Sequence, residues 1–178
     1  HTIGRRQRQM CIRDRNRVQQ SGLLTLEMKT FYGRQKRRLI DIQPWLFNGL
    51  VLKEKVFREE LNNHDWSQYV NTYVGIYCSV ETIIPSWAFM LVSTYLFTYT
   101  KSVFLGDELE LEKIIFSENI QKLDLNPLRD KKVLIKGCSD TYIPEKSYLE
   151  ITTRLMGVVQ SLMFGEACSN VPLYKKKN

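Results

Sequence analysis

From residue 70 to the C-terminus, short β-rich runs alternate with helical stretches on a regular beat. That pattern restricts the fold more than any other feature of the chain. The run Tyr73 to Cys78 leads through a loop to a helix opened by Pro85, whose fixed φ suits a first helical turn. Ser102 to Gly106 precedes Asp107 and a helix over about 108–122, with Glu108, Glu110 and Glu112 at its start as the helix dipole favours. Val133 to Gly137 leads to a helix opened by Pro144, and Ser161 to Gly165 forms a fourth run. Strands separated by helices run parallel with right-handed crossovers. The expectation is therefore an α/β fold: one doubly wound, mostly parallel, Rossmann-like sheet. Its four C-terminal strands take the order 2-1-3-4 by chain position. Ahead of them, Leu24, Leu26 and Met28 alternate, as do Arg38, Ile40 and Ile42, which predicts an N-terminal hairpin or edge strands; a helix over about 50–62 follows.

Two of the loops resemble each other, YVGIYCSVETIIP and KVLIKGCSDTYIP, and read as convergent loop design rather than tandem duplication. Cys-Ser recurs at Cys78-Ser79, Cys138-Ser139 and Cys168-Ser169, each time after a β-like run and before an apolar residue and a proline. In the 2-1-3-4 order the three strands ending in cysteine are neighbours, and adjacent strands lie ~4.8 Å apart. Ligands of open α/β sheets bind at the carboxyl ends of the strands. Cys78, Cys138 and Cys168 are thus a candidate metal site for zinc, iron or an iron–sulfur cluster, with Asp107 or Glu166 as a fourth ligand. Helix N-termini after Cys78 and Cys138 favour thiolate, the form that binds metals and attacks electrophiles. The serines are expected to cap those helices. His64 precedes the first of these strands and falls at the opposite edge, so His64-Asp65-Trp66 is expected to be a structural turn.

Three function classes follow: an accessory factor for iron–sulfur or metal handling, a thiol enzyme with Cys138 as nucleophile, and an interaction module using aromatics such as Trp66 or Tyr174. There is no GxxxxGK[ST], no GxGxxG after a strand, no GxSxG and no HExxH, which removes the commonest nucleotide, dehydrogenase, serine-hydrolase and zinc-protease signatures.

Residues 1–15 stand apart. RRQRQMCIRDR, Arg5 to Arg15, looks like a translated sequencing adapter, so 1–15 is set aside as an artefactual, disordered extension and 16–178 is expected to form a single α/β domain. Removing its five arginines and Asp14 takes the formal charge from +7 to +3, and with the basicity goes the case for nucleic acid as a partner. Three cysteines then remain, an odd number at long spacing, unlike a disulfide framework. Residues 82–100 carry no charge, yet hold four threonines, two serines and a proline; a buried helix is expected there rather than a membrane span. A cytoplasmic location is the default.

The segments NRVQQSGLLTLEMKTFY, DIQPWLFNGLVLKEKVFRE, NHDWSQY, CSVETIIPSWAFMLV, VLIKGCSDTYIPEKSY and MFGEACSNVPLYKKK together resemble a bacterial domain-of-unknown-function family, DUF2480, from about Asn16 onward. Near its end the family pattern reads GEPCSTVPL; Ala167 and Asn170 depart from it, and Gly157 stands where proline is usual. The resemblance brings no catalytic residues. It implies a soluble cytoplasmic protein, and iron–sulfur assembly proteins as partners, because members are often encoded near that machinery.

Overall fold

β-branched and aromatic residues in the runs read above form strands, and the longer periodic segments between them form helices. The computed structural model describes residues 22–100 and 102–177 of the 178-residue chain. In chain order the strands are β1 (Leu23–Glu27), β2 (Lys36–Asp41), β3 (Thr72–Tyr77), β4 (Ser102–Leu105), β5 (Lys132–Lys136), β6 (Ser161–Glu166) and β7 (Ser169–Lys175). The α-helices are α1 (Glu54–Asn63), α2 (Ser86–Leu96), α3 (Glu108–Gln121) and α4 (Glu145–Leu155). Short 3-10 turns cover Met28–Tyr32, Gln43–Trp45, Trp66–Tyr69 and Asn126–Leu128.

The strands form two sheets, which corrects the expectation of one. β1-β5-β6-β7 is parallel except for β7, which pairs antiparallel with β6; β2-β3-β4 is parallel throughout. Each strand–helix–strand crossover was legible, β3-α2-β4 and β5-α4-β6, because a crossover is local. Which strands join one sheet is decided by burial at long range, and there the expected neighbours β3 and β5 part company. β1 and β2 are edge strands of different sheets and do not form a hairpin.

The chain divides accordingly into two compact units. Unit 1 runs up to Gly33 and resumes at Ile115; unit 2 is Arg34–Ile114. Each has its own buried cluster: Met28, Phe31, Phe116, Ile120, Val133, Ile135, Ile151, Leu155 and Leu162 among others in unit 1, and Ile42, Trp45, Phe57, Leu61, Val74, Ile76, Val92 and Leu96 among others in unit 2. Within unit 2, Glu112 is buried and its carboxylate is held bidentately by Arg37, with Arg37 Nε on Oε1 and Nη2 3.0 Å from Oε2. Among the described residues, no helix is long and apolar enough to cross a membrane.

The two units are built on the same plan. In the pairings of β3 with β4 and of β5 with β6, corresponding residues keep a constant step of 59, as from Tyr73 to Lys132 and from Ser102 to Ser161. The same step carries Phe57 to Phe116, Leu61 to Ile120, Val92 to Ile151 and Leu96 to Leu155, all fully buried. The left-handed residue before each central strand also matches. The Asn71 N–H (φ 58°) donates to Tyr99 O at 2.9 Å, and the Asp130 N–H (φ 55°) to Val158 O at 2.9 Å. On the other flank, β2 pairs with β3 as β1 pairs with β5, so that Asp41 opposite Tyr77 corresponds to Glu27 opposite Lys136. The likeness is thus not confined to one loop, and a repeated module replaces the convergent-loop reading. Unit 2 is inserted in unit 1 after that module's first strand.

Candidate functional site

Both Cys-Ser loops leave the central strand of their sheet and have the same length, from Tyr77 to Pro85 and from Lys136 to Pro144. With the module in register, Cys78 corresponds to Gly137 and Ser79 to Cys138. The two thiols therefore sit one position apart in the repeat, and not at the same point of it. Pro85 and Pro144 are the N-caps of α2 and α4, with φ of −62° and −58° and no side-chain cap, so the serines do not cap these helices. Each proline's carbonyl accepts the first helical bond, from the Ala88 and Ser147 N–H groups respectively, both at 2.9 Å.

The structure separates the predicted metal ligands by sheet. Cys78 follows β3, is half-buried and packs on the unit 2 core. Cys138 follows β5 and packs on the unit 1 core, and Cys168 is exposed in the turn between β6 and β7. The neighbouring-strand argument for gathering all three does not carry, because β3 and β5 belong to different sheets. Among the described residues, no group of three or more His, Cys, Asp or Glu is arranged to hold a metal ion. Asp107 caps α3, its carboxylate accepting from the Glu110 N–H at 3.0 Å. Glu166 is salt-bridged to Lys136 at 2.9 Å. His64 stacks on Tyr69, its Nε2 lies 3.0 Å from Tyr69 Oη, and its ring meets Trp45 and Trp66; burial pushes its pKa down and the Asp65 charge opposes. It belongs to a structural turn ahead of β3. Trp66, proposed as an exposed contact residue, is instead 8% exposed and donates its indole N–H to Leu61 O.

What the sheet does gather lies at the carboxyl ends of β1, β5 and β6, where parallel strands leave their ends open to ligands. A cleft of about 470 Å³ there is lined by Glu27 and Lys29 from the end of β1, by 136–140 after β5, and by Gly165 and Glu166 from β6. Cys138 is the thiol in it. The Asp140 backbone N–H is the largest influence holding the thiol below the ordinary cysteine range. Partial burial opposes, the Thr141 hydroxyl and N–H add to the lowering, and the Asp140 charge opposes. Lys136 is held protonated above the usual lysine range, first by its hydrogen bond to Glu166 and then by the Glu166 charge, with Glu27 and Cys138 contributing. Burial raises the Tyr148 hydroxyl's pKa, and the Cys138 charge adds to this, which places the phenol in the thiol's field. Gly137 makes room for that ring: a Cβ there would stand 3.2 Å from Tyr148 Oη. Phe164 meets the same ring edge-on at 5.6 Å.

Unit 2 shows what the equivalent loop does without a thiol at that position. Asp41 Oδ1 accepts from the Ser79 N–H at 3.1 Å and from the Gln43 N–H at 2.9 Å. Burial pushes the Asp41 carboxyl up, but the hydrogen bonds from the Ser79 hydroxyl and the two N–H groups outweigh it and hold the group below its usual range. In unit 1, Glu27 at the corresponding position pairs instead with Lys29 at 3.3 Å. Lys136, Tyr148, Glu27 and Lys29 were not singled out from the sequence. The one available signal was Lys136 immediately before Gly-Cys at the end of a strand.

No curated protein and no solved structure matches the chain. The family described as Protein of unknown function (DUF2480) matches residues 13–176, and the chain belongs to that family.

Proposed function

We propose that the unit 1 cleft is a thiol site in which Cys138 acts as a thiolate nucleophile toward a small electrophilic substrate. The observation that supports this reading is the place of Cys138 in a strand-end cleft that also holds Lys136, and the neighbouring Asp140 and Thr141 groups hold its thiol below the ordinary range. Donors aimed at sulfur stabilise its charged form, and a thiolate rather than a thiol attacks electrophiles. Lys136 keeps a positive charge beside the sulfur, and Tyr148 supplies a neutral hydroxyl able to donate to a developing anion. The test is site-resolved alkylation by iodoacetamide at neutral pH, followed by mass spectrometry. Cys138 is expected to react faster than both Cys78 and Cys168. Because Cys168 is the most exposed of the three, a faster reaction there would show that exposure alone sets reactivity and would sink the proposal.

A second reading, metal or iron–sulfur handling with iron–sulfur assembly proteins as partners, retains two thiols, since Cys138 and Cys168 both follow strands at the carboxyl edge of the unit 1 sheet. It would draw on Glu166 between them in the chain. Anaerobic purification with elemental analysis and an absorption spectrum tests it; a colourless, metal-free protein after reconstitution with iron and sulfide rules it out.

A further inference from the structure

The repeated module shows what a bare sheet edge in unit 2 is built to accept. β4 corresponds residue for residue to β6, and β6 carries the antiparallel strand β7 on its outer side. The Gly106 N–H donates to Ile76 O at 2.9 Å, so the groups of residues 102, 104 and 106 turn to β3. Those of Val103 and Leu105 therefore turn away from it. Their counterparts Leu162 and Phe164 face β7, opposite Tyr174 and Val171. Among the described residues, the unit 2 sheet ends at β4 with no such strand.

Elsewhere the chain guards the corresponding edge. Pro172 lies opposite Met163, whose backbone groups serve β5, so the missing N–H costs the β6–β7 ladder nothing and leaves the outer edge of β7 short of a donor. β4 carries no proline and no charged residue, and Leu105 at its end is 64% exposed. An unguarded apolar edge of this kind is a template for strand pairing.

We propose that the outer edge of β4 is a self-association surface, occupied by β4 of a second copy of this chain in antiparallel pairing. Two copies related by a two-fold axis pair a given strand antiparallel with itself, the orientation in which β7 lies on the equivalent edge of unit 1. With Phe104 at the axis, Val103 of one copy exchanges both backbone hydrogen bonds with Leu105 of the other, using the groups that face outward.

Sedimentation equilibrium of the full chain, followed from micromolar to near-millimolar concentration, tests the proposal. A species of twice the 21.0 kDa chain mass is expected. Leu105→Pro removes an outward donor and Leu105→Lys adds a charge to the edge; each is expected to weaken association by about tenfold or more while leaving the far-UV circular dichroism intact. Hydrogen exchange gives a readout that does not depend on either variant: the Val103 and Leu105 amides should become protected as concentration rises. A chain that stays monomeric throughout overturns the proposal and leaves the edge to a strand of another protein. A dimer whose Val103 and Leu105 amides stay unprotected, or one unaffected by both Leu105 variants, also overturns it by placing the contact elsewhere.

Discussion

If the two units repeat one module, equivalent core positions should bear equivalent loads, and Phe57 and Phe116 give the sharpest comparison. Both are fully buried, one in each unit's cluster, and the clusters share no member. Truncating a buried phenylalanine to alanine costs about 3–5 kcal/mol through lost transfer energy and the cavity left behind. The two sites differ in one respect. Phe57 meets two rings edge-on, Trp45 at 6.0 Å and Trp87 at 6.0 Å, whereas Phe116 meets Tyr32 at 6.2 Å. An aromatic pair contributes about 0.5–1.5 kcal/mol beyond area burial, so Phe57→Ala should be the more costly by roughly that amount. Without shared partners the two losses should add. The double variant then loses about 6–10 kcal/mol, enough to unfold a protein whose stability lies in the usual range of about 5–15 kcal/mol. Urea unfolding followed by circular dichroism and tryptophan fluorescence measures each value. A cost for Phe116→Ala below about 1 kcal/mol would show that position 116 is not the core counterpart of 57, and the repeat would lose its energetic meaning.

Three further outcomes are expected. The pH dependence of Cys138 alkylation should rise at lower pH than for an ordinary thiol, and Thr141→Val, which removes the hydroxyl donor, should move that rise to higher pH; an unchanged profile would deny Thr141 its part. Arg37→Ala leaves the buried Glu112 carboxylate unpaired and should cost about 3 kcal/mol in urea unfolding, near the lower end for a buried pair because the arginine side chain is 17% exposed, whereas Arg37→Met with Glu112→Leu should recover most of the loss. Asp41 is held below its usual range in the fold, so its stabilisation is complete above the unfolded carboxylate's pKa and fades as pH falls through the lowered folded value. Asp41→Asn should flatten the acid side of the stability–pH curve, and an identical slope in the variant would remove Asp41 from that role.

The order of elements was legible because it is local. Proline before α2 and α4, acidic residues at the start of α3 and β-branched runs in β3 and β5 act within a few residues of themselves. Sheet membership was not, since Val74 and Val133 look alike in sequence yet pack into different cores. The repeat was hidden for a related reason. A core position asks only for an apolar residue of suitable size, so Ile120 can stand where Leu61 does and Ile151 where Val92 does without leaving a recognisable string. At the site, Cys138 could be read as a strand-end thiol with helix N–H groups nearby. The partners brought by β1 and β6, Glu27 and Glu166, depend on strand register, which no local pattern specifies. The step of one position between Cys78 and Cys138 was visible in the two loops, but aligning them on Cys-Ser concealed it, and only the matching distances to Pro85 and Pro144 reveal it.

The insertion of one unit within the other sets an order of assembly during synthesis. Leu23 pairs with Lys132, so β1 emerges from the ribosome long before the strand it needs, while every strand of the β2-β3-β4 sheet is already made. An early apolar strand waiting for a late partner is a hazard for misassociation, and closing so long a loop slows folding. The β2-β3-β4 sheet can therefore close while β5 is still unmade, and β1 has to find its partner across the whole length of the inner unit.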